Sequence, residues 1–290
     1  MPIVINTNVP AMVAQNALTK ATSSLNTSLV RLSTGQRINS AKDDPAGYYY
    51  ASGINTQVRG INVAYQNVAL ATNMVQTAEG DLGSINTQLE RIKDLATQYA
   101  NSTLTTEEQT AIKTEAQQRV DEINRLAADS KFNKKQLLDG TMTGGVKIQV
   151  GPNNTANDSI TITGVFENAN AASIKLVGGS SKYASIDAAF ASATTAQDFI
   201  TEVQNSADLV TGRISTAGIY ENRLSSITDS LVTQNENLSA AYSTVMDTDI
   251  AAETSNYIKN QLLQQTASSM LTQANSAQGV LALKLVNAIA

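Results

Sequence analysis

The sequence predicts a mainly α protein: long antiparallel helical rods, as in a coiled coil or bundle, with a small β-hairpin region and the two termini paired in a helical coiled coil. Three observations predict it. Apolar residues recur at alternating three- and four-residue steps over most of the chain, which is the seam of packed helices. Hydrophobic residues reach 42% while aromatic residues are only 4%, so Ala, Val, Ile and Leu must do the packing, as suits helices lying close together. The seams are also near-palindromic in order: a terminal helix, a long rod, a small middle, a second long rod and a terminal helix. Rods at opposite ends of one sequence pair by folding back antiparallel.

The first helix is expected over 11–33, with Ala14, Leu18, Ala21, Leu25 and Leu32 on its seam and Leu29 flanking. Gly35 offers its C-terminus, and Asp44 followed by Pro45 reads as an N-cap and first-turn proline for the next helix. That second helix carries Ile54, Val58, Ile61, Tyr65, Val68, Val75, Ala78, Leu82, Ile85, Leu89, Ile92, Ala96 and Tyr99, with one short step near Gly80. More than 50 helical residues at ~1.5 Å each give a rod on the order of 80 Å. Thr105 and Glu108 form a capping box for a third helix with Ile112, Ala116, Val120, Ile123 and Ala127 on one face.

After a turn-rich stretch, Val146, Ile148 and Val150 alternate with polar residues, and Ile160 and Ile162 do the same beyond the turn at 151–154. This predicts a hairpin over about 146–163. Residues 166–185 lack periodicity and read as loop, with a short strand at Ile174–Val177. A second rod is expected from Ile200 through Val203, Ala207, Val210, Ile214, Ala217, Tyr220, Leu224, Ile227, Leu231, Leu238, Ala241 and Val245. The pattern pauses at Asp247–Asp249. A last helix follows with Leu263, Ala267, Met270, Ala274, Ala277 and Leu281 on its seam. The domain division expected is 1–44 with 250–290 as a terminal coiled coil, and 45–249 as a rod-and-hairpin domain in which 166–185 is a reduced loop region.

Composition excludes much chemistry. The chain has no Cys, no His and no Trp, so disulfides, thiol nucleophiles, imidazole bases and His- or Cys-bearing metal centres are ruled out. Charged residues are 16% and the formal net charge is -5, which gives no electrostatic reason to hold nucleic acid. No apolar run approaches the ~20 residues that cross a bilayer, and the first residues lack a secretory n- and h-region. Composition alone therefore suggests a soluble cytoplasmic protein.

Catalytic constellations are not found either. Asp43 with Asp44, Glu107 with Glu108, Asp121 with Glu122 and Asp247 with Asp249 lie at expected helix ends or exposed faces, where capping and the helix dipole account for them. Asp247–Asp249 opens like a calcium loop, but Ile250 and Ala251 stand where oxygen ligands and a glycine turn are required. The run Tyr48–Tyr50 has only Lys42 and Arg59 nearby, so packing between helices is expected rather than nucleic-acid stacking. No enzyme activity and no cofactor or metal is expected. The terminal helices themselves bury too little surface to be stable as an isolated pair, and should order only against further copies or partners.

Several long segments, in order, resemble bacterial flagellin. They are VINTN (4–8), RLSTGQRINSAKDDPAG (31–47), LERIKDLATQYANST (89–103), TEAQQRVDEINRL (114–126), KFNKKQLLDG (131–140), IQVGPN (148–153) and QLLQQTASSMLTQAN (261–275). The resemblance implies a short, core-only form whose subunits polymerise into the flagellar filament for swimming. Its terminal helices, through seam residues Leu18, Leu25, Leu32, Leu263, Met270 and Leu281, would pack the subunits together. It implies export without a cleavable signal, which replaces the cytoplasmic expectation by an extracellular, flagellar one. Partners implied are other copies of the chain, the flagellar cap, junction proteins, an export chaperone and the export apparatus, with no nucleic acid and no membrane. Flagellins detected by the vertebrate Toll-like flagellin receptor contact it through an Arg, a Leu and a Glu; the matching positions are Arg91, Leu95 and Glu115, with Gln98 nearby. A hook–filament junction protein shares the terminal helices and overall length, and stands as the alternative; a coiled-coil adaptor ranks below it.

Overall fold

The computed structural model describes residues 7–289. The element order is α1 (Val9–Thr34), α2 (Pro45–Tyr99), α3 (Thr106–Asp129), β1 (Lys131–Phe132), β2 (Lys135–Gln136), β3 (Val146–Gln149), β4 (Ser159–Ile162), α4 (Ile186–Ala189), α5 (Ala193–Met246) and α6 (Ile250–Ile289). A mainly α chain of long helices with a few short strands is what the apolar periodicity predicts. Two compact units form, Met1–Thr56 with Asn237–Ala290, and Gln57–Glu236. They part inside α2 and α5, whereas the sequence places the divisions at helix ends, 44 and 249. Ala51 and Met246 cluster with Ile38, so the first turns of α2 and the last of α5 belong with the terminal helices.

Local signals set the helix ends. The Asn8 side chain accepts the Ala11 amide at 3.0 Å, and Gly35 takes φ 69°, the left-handed conformation that closes α1. Asp44 accepts the Gly47 amide at 3.0 Å, and Thr105 with Glu108 forms the full capping box of α3. Asp249 accepts the Ala251 and Ala252 amides and starts α6. The second rod starts before Ile200 because Ser192 and Thr195 cap one another's amides at 2.8 and 3.2 Å.

In the 57–236 unit, buried residues of α2 follow a strict heptad rhythm: Ile61, Ala64, Val68, Ala71, Val75, Ala78, Leu82, Ile85, Leu89, Ile92, Ala96 and Tyr99. The seam needs no short step at Gly80. Ala64 and Ala71 fill the stripe, and Tyr65, expected on it, is exposed. On α5 the stripe runs Ala196, Phe199, Val203, Ser206, Val210, Arg213, Ala217, Leu224 and Leu231. Ser206 and Arg213 thus occupy inner positions expected for Ala207 and Ile214, since each can satisfy its polar atoms. Ser206 donates to the Glu202 carbonyl at 2.9 Å, and the Arg213 guanidinium donates to the Glu167 and Asn168 carbonyls and pairs with the Glu167 carboxylate at 3.3 Å. Lys93 donates to Gln204 at 2.6 Å and Asn235 to Asn62 at 2.9 Å. The two contacts lie 31 residues apart along each helix, from Asn62 to Lys93 on α2 and from Gln204 to Asn235 on α5, so α2 and α5 run antiparallel without loss of register.

The hairpin β3–β4 pairs Val146 with Ile162 and Gln149 with Ser159, with the isoleucines of β4 inward. Tyr220 on α5 receives the Thr163 amide and donates to the Thr161 carbonyl. Gly60 lets the loop after β3 approach α2: a Cβ there would meet the Pro152 Cβ at 2.6 Å. The turn-rich stretch holds a second, smaller hairpin, β1–β2, whose turn residues Asn133 and Lys134 both have positive φ. Residues 174–177 form turns rather than the expected strand, with Lys175 at φ 64°. The region 166–185 is far from an open loop, because Phe166, Ile174 and Leu176 are buried in it. Beside it, Tyr99 and Phe190 meet edge to face at 5.0 Å, and Phe199 touches Phe190 and Tyr183, each at 5.6 Å.

One carboxyl disturbs this interface. Burial first, and then the neighbouring Glu79, raise the Glu221 carboxyl above its ordinary pKa, and its Oε1 is buried without a partner. A carboxyl with a raised folded-state pKa favours the folded state while protonated and costs stability once it must ionise. Glu221→Gln is therefore expected to raise the melting temperature at pH 7, with the gain shrinking as pH falls through the raised pKa and gone by about pH 4, where the carboxyl is protonated in both states. Thermal melts of parent and variant across that range check it; an equal shift at every pH would contradict it.

Candidate functional site: the terminal-helix pair and the Arg91 cluster

Within the terminal unit, α1 lies antiparallel on α6. Asn8 donates to the Ala274 carbonyl at 3.2 Å, Gln264 donates to the Thr22 hydroxyl at 3.1 Å, and Arg31 meets Glu253 at 3.6 Å. A backbone clamp closes the base of the pair. The Arg37 amide donates to the Met246 carbonyl at 2.6 Å, the Thr248 amide to the Gly35 carbonyl at 2.9 Å, and the Arg37 guanidinium to the Val245 carbonyl at 2.8 Å.

The inner stripe of α1 is Ala11, Ala14, Leu18, Ala21, Leu25, Ser28 and Leu32, of which the three leucines are half-buried. The inner stripe of α6 is Glu253, Tyr257, Asn260, Gln264, Ala267, Leu271 and Ala274. This corrects the sequence reading of α6. Leu263 and Met270 are 47% and 60% exposed; the stripe runs one position later, through Gln264 and Leu271, sharing only Ala267 and Ala274 with the expected seam. Adjacent heptad registers differ by about 100° on the helix, and the polar contacts to Thr22 and Arg31 select the more polar of the two. The Leu281 side chain, and residues 4–6 of the VINTN segment, lie outside the described residues.

The consequence is a pair whose inner stripes mix a few half-buried large residues with small and polar ones, while many large apolar residues lie outside. Met12, Val13, Leu29 and Val30 on α1, and Ile258, Leu262, Leu263 and Met270 on α6, are all exposed. An apolar groove of about 430 Å³ lies along the pair, lined by Val13, Ala17, Ala21, Leu263, Ala267 and Met270 among others.

The second cluster sits where α2 meets α3. Arg91 Nε donates to Glu115 Oε1 at 2.9 Å, and Arg119 reaches the same oxygen at 3.4 Å and Gln88 at 3.3 Å. The Arg91 hydrogen bond holds the Glu115 carboxyl below its usual range, and Glu115 raises the Arg91 guanidinium in turn. Gln98 is exposed. Leu95 departs from the expected surface contact: it is 1% exposed. One helix turn beyond Arg91, it shares the face that α3 covers, so the closed surface offers Arg91, Gln98 and Glu115 above an interior Leu95.

Other candidates resolve into structure. Asp43 accepts the Asn39 and Ser40 amides, Asp247 accepts the Ser243 hydroxyl at 2.6 Å, and the described residues contain no group of three or more acidic, His or Cys side chains placed to hold a metal ion. No described helix is long and apolar enough to cross a membrane. Tyr48, Tyr49 and Tyr50, expected between helices, are exposed instead.

Leu95→Ala is expected to cost about 2–5 kcal/mol of stability by opening a cavity, while Arg91→Ala costs far less because the ion pair is half-exposed. Urea unfolding of the two variants separates them; similar midpoints would place Leu95 at the surface.

Residues 5–143 match the bacterial flagellin N-terminal helical region, and residues 200–283 match the bacterial flagellin C-terminal helical region. The chain is 33% identical over 273 residues to a flagellin of Halalkalibacterium halodurans, covering 94% of this chain and 96% of that one. It is 32% identical over 288 residues to the flagellar filament 30.7 kDa core protein of Treponema maltophilum, with 97% and 99% covered. The solved structure of a flagellar hook-associated protein from Vibrio parahaemolyticus matches with a TM-score of 0.60 at 17% identity, covering 71% of this chain and 100% of that one, a likeness of fold alone. With both helical regions matched in order on either side of the hairpin, and relatives aligned nearly end to end, the chain belongs to the bacterial flagellin family.

Proposed function

We propose that this flagellin is the structural subunit of an extracellular flagellar filament, and that it polymerises by burying the outward apolar face of the α1–α6 pair against neighbouring copies. The observation that carries the reading is the inverted polarity of that pair. Leu263 and Met270 lie open while Gln264 and Glu253 lie inside, so much of the pair's apolar surface can be buried only from outside itself. A helical polymer needs contacts that do not close on themselves, and two long exposed stripes on different helices supply them. Leu18, Leu25 and Leu32 act in this reading by holding α1 on α6, with Leu263 and Met270 as the intersubunit residues. Transit as an unfolded chain through an export apparatus, with a chaperone before and a cap after, agrees with the absence of Cys and with terminal helices that order on assembly. Near end-to-end similarity to a filament core protein favours the filament over the hook–filament junction.

Recognition of the free monomer by the Toll-like flagellin receptor is the second part of the proposal. Arg91, Gln98 and Glu115 form its surface, and Leu95 supports them from below. The pre-formed Arg91–Glu115 bond at 2.9 Å presents a fixed donor and acceptor side by side.

Seeding purified monomer with filament fragments tests the first part. The parent should elongate, and Leu263→Ser with Met270→Ser should raise the critical concentration on the order of tenfold or more, since each buried apolar side chain contributes about 1.5–3 kcal/mol. An unchanged critical concentration would rule the face out. For the second part, Arg91→Glu monomer should lose at least about tenfold in receptor signalling while its melting temperature stays near that of the parent; full signalling by that variant would sink it.

A further inference from the structure

Tyr48, Tyr49 and Tyr50 stand in the first turns of α2 and are 43%, 83% and 57% exposed. Successive helix positions turn by about 100°, so the three rings fan out in three directions. The remaining side of this turn is already used: a Cβ at Gly47 would strike Ile38, and Ala51 packs in the cluster of Ile38 and Met246. Three of the nine tyrosines of the chain therefore stand together outside its core, exposing on the order of 300–400 Å² of amphipathic ring surface.

The surroundings narrow what covers them. Lys42 comes shortly before the triplet in sequence, Arg31 is paired with Glu253 and Arg37 with the Val245 carbonyl, and Asp43 and Asp44 are engaged in local capping. A phosphate backbone therefore has no basic track to follow alongside the rings. Tyrosine brings large contact area at low cost in side-chain entropy, which favours a protein surface. A partner that arrives from one direction covers one or two rings and leaves the third wet. Copies of the same chain in a helical array flank each subunit on several sides at once, and the same compact unit already carries the outward stripes of α1 and α6.

We propose that Tyr48, Tyr49 and Tyr50 are a multidirectional anchor that packs on at least two neighbouring copies of this chain. The inference rests on the filament reading above. It adds a contact that the helical seams do not contain, placed on α2 rather than on the terminal pair.

Nitration by tetranitromethane, read by mass spectrometry of the peptide carrying residues 48–50, tests it on the full-length parent. Nitration of the triplet should be at least about tenfold slower in seeded filaments than in monomer, and Tyr49→Ser with Tyr50→Ser should raise the critical concentration about tenfold while the Phe counterparts leave it near the parent value. Equal nitration in monomer and filament overturns the proposal, as does protection that arises only when oligo-dT is added to the monomer. If the parent elongates normally yet the Ser variant does too, the anchor fails and the filament reading stands. If the parent forms no filament on its own fragments, the filament reading fails and takes the anchor with it.

Discussion

The heptad stripe of α2 from Ile61 to Tyr99, closed by an antiparallel α5, is the constraint on which the 57–236 unit depends. Its inner residues are essentially dry, and each larger one contributes about 1.5–3 kcal/mol. The ion pairs around it are mostly half-exposed or more and contribute about 0–1 kcal/mol each. Burial therefore decides the fold, and the charged pairs trim it. The smaller elements are fastened to the helices of this unit at a few points: Pro152 against Gly60, Gln149 on Asn67, Thr161 and Thr163 on Tyr220, and the 166–177 turns on Arg213 and Asn124.

Polar residues in or beside the facing stripe of α5 are tolerated when their hydrogen bonds close. Arg213 is buried yet has two carbonyls and a carboxylate as partners, whereas Glu221 has an oxygen left over. The contrast explains why one fixes a loop and the other weighs on stability at neutral pH. Arg213 also breaks the uniformity of an Ala- and Val-rich seam, which otherwise resembles itself after a shift of seven residues.

The terminal unit inverts the usual arrangement. Its clamp at Gly35, Arg37 and Met246 is made of backbone hydrogen bonds, and its inner stripe mixes half-buried leucines with Ala, Ser, Gln and Glu. Such a pair gains little from its own interior, which links its packing directly to the proposed polymer: the side chains with most to gain from burial face outward. The tyrosines of α2 extend the same logic to a second helix, since few neutral residues other than a ring offer both apolar area and a hydroxyl for whatever surface comes to rest on it.

The sequence by itself determined the helices, their caps and the hairpin, because these follow from neighbours a few residues apart: Thr105 with Glu108, Asp44 with Pro45, Val146 alternating with Lys147. It also determined the family, through long ordered segments. The seam of α2 was largely legible but missed Ala64, for which Tyr65 was read, and Ala71, since periodicity ranks a large side chain above a methyl group. Only the tertiary structure decided which of two adjacent heptad registers faces inward on α6. Leu263 and Gln264 lie one position apart on a helix with apolar residues on several sides, and a partner hydroxyl on Thr22, distant in sequence, settles the choice. The same holds for Leu95, whose burial depends on α3 folding back over it, and for Tyr48–Tyr50, whose exposure depends on Ile38 and Met246 occupying the one side of the helix that packs.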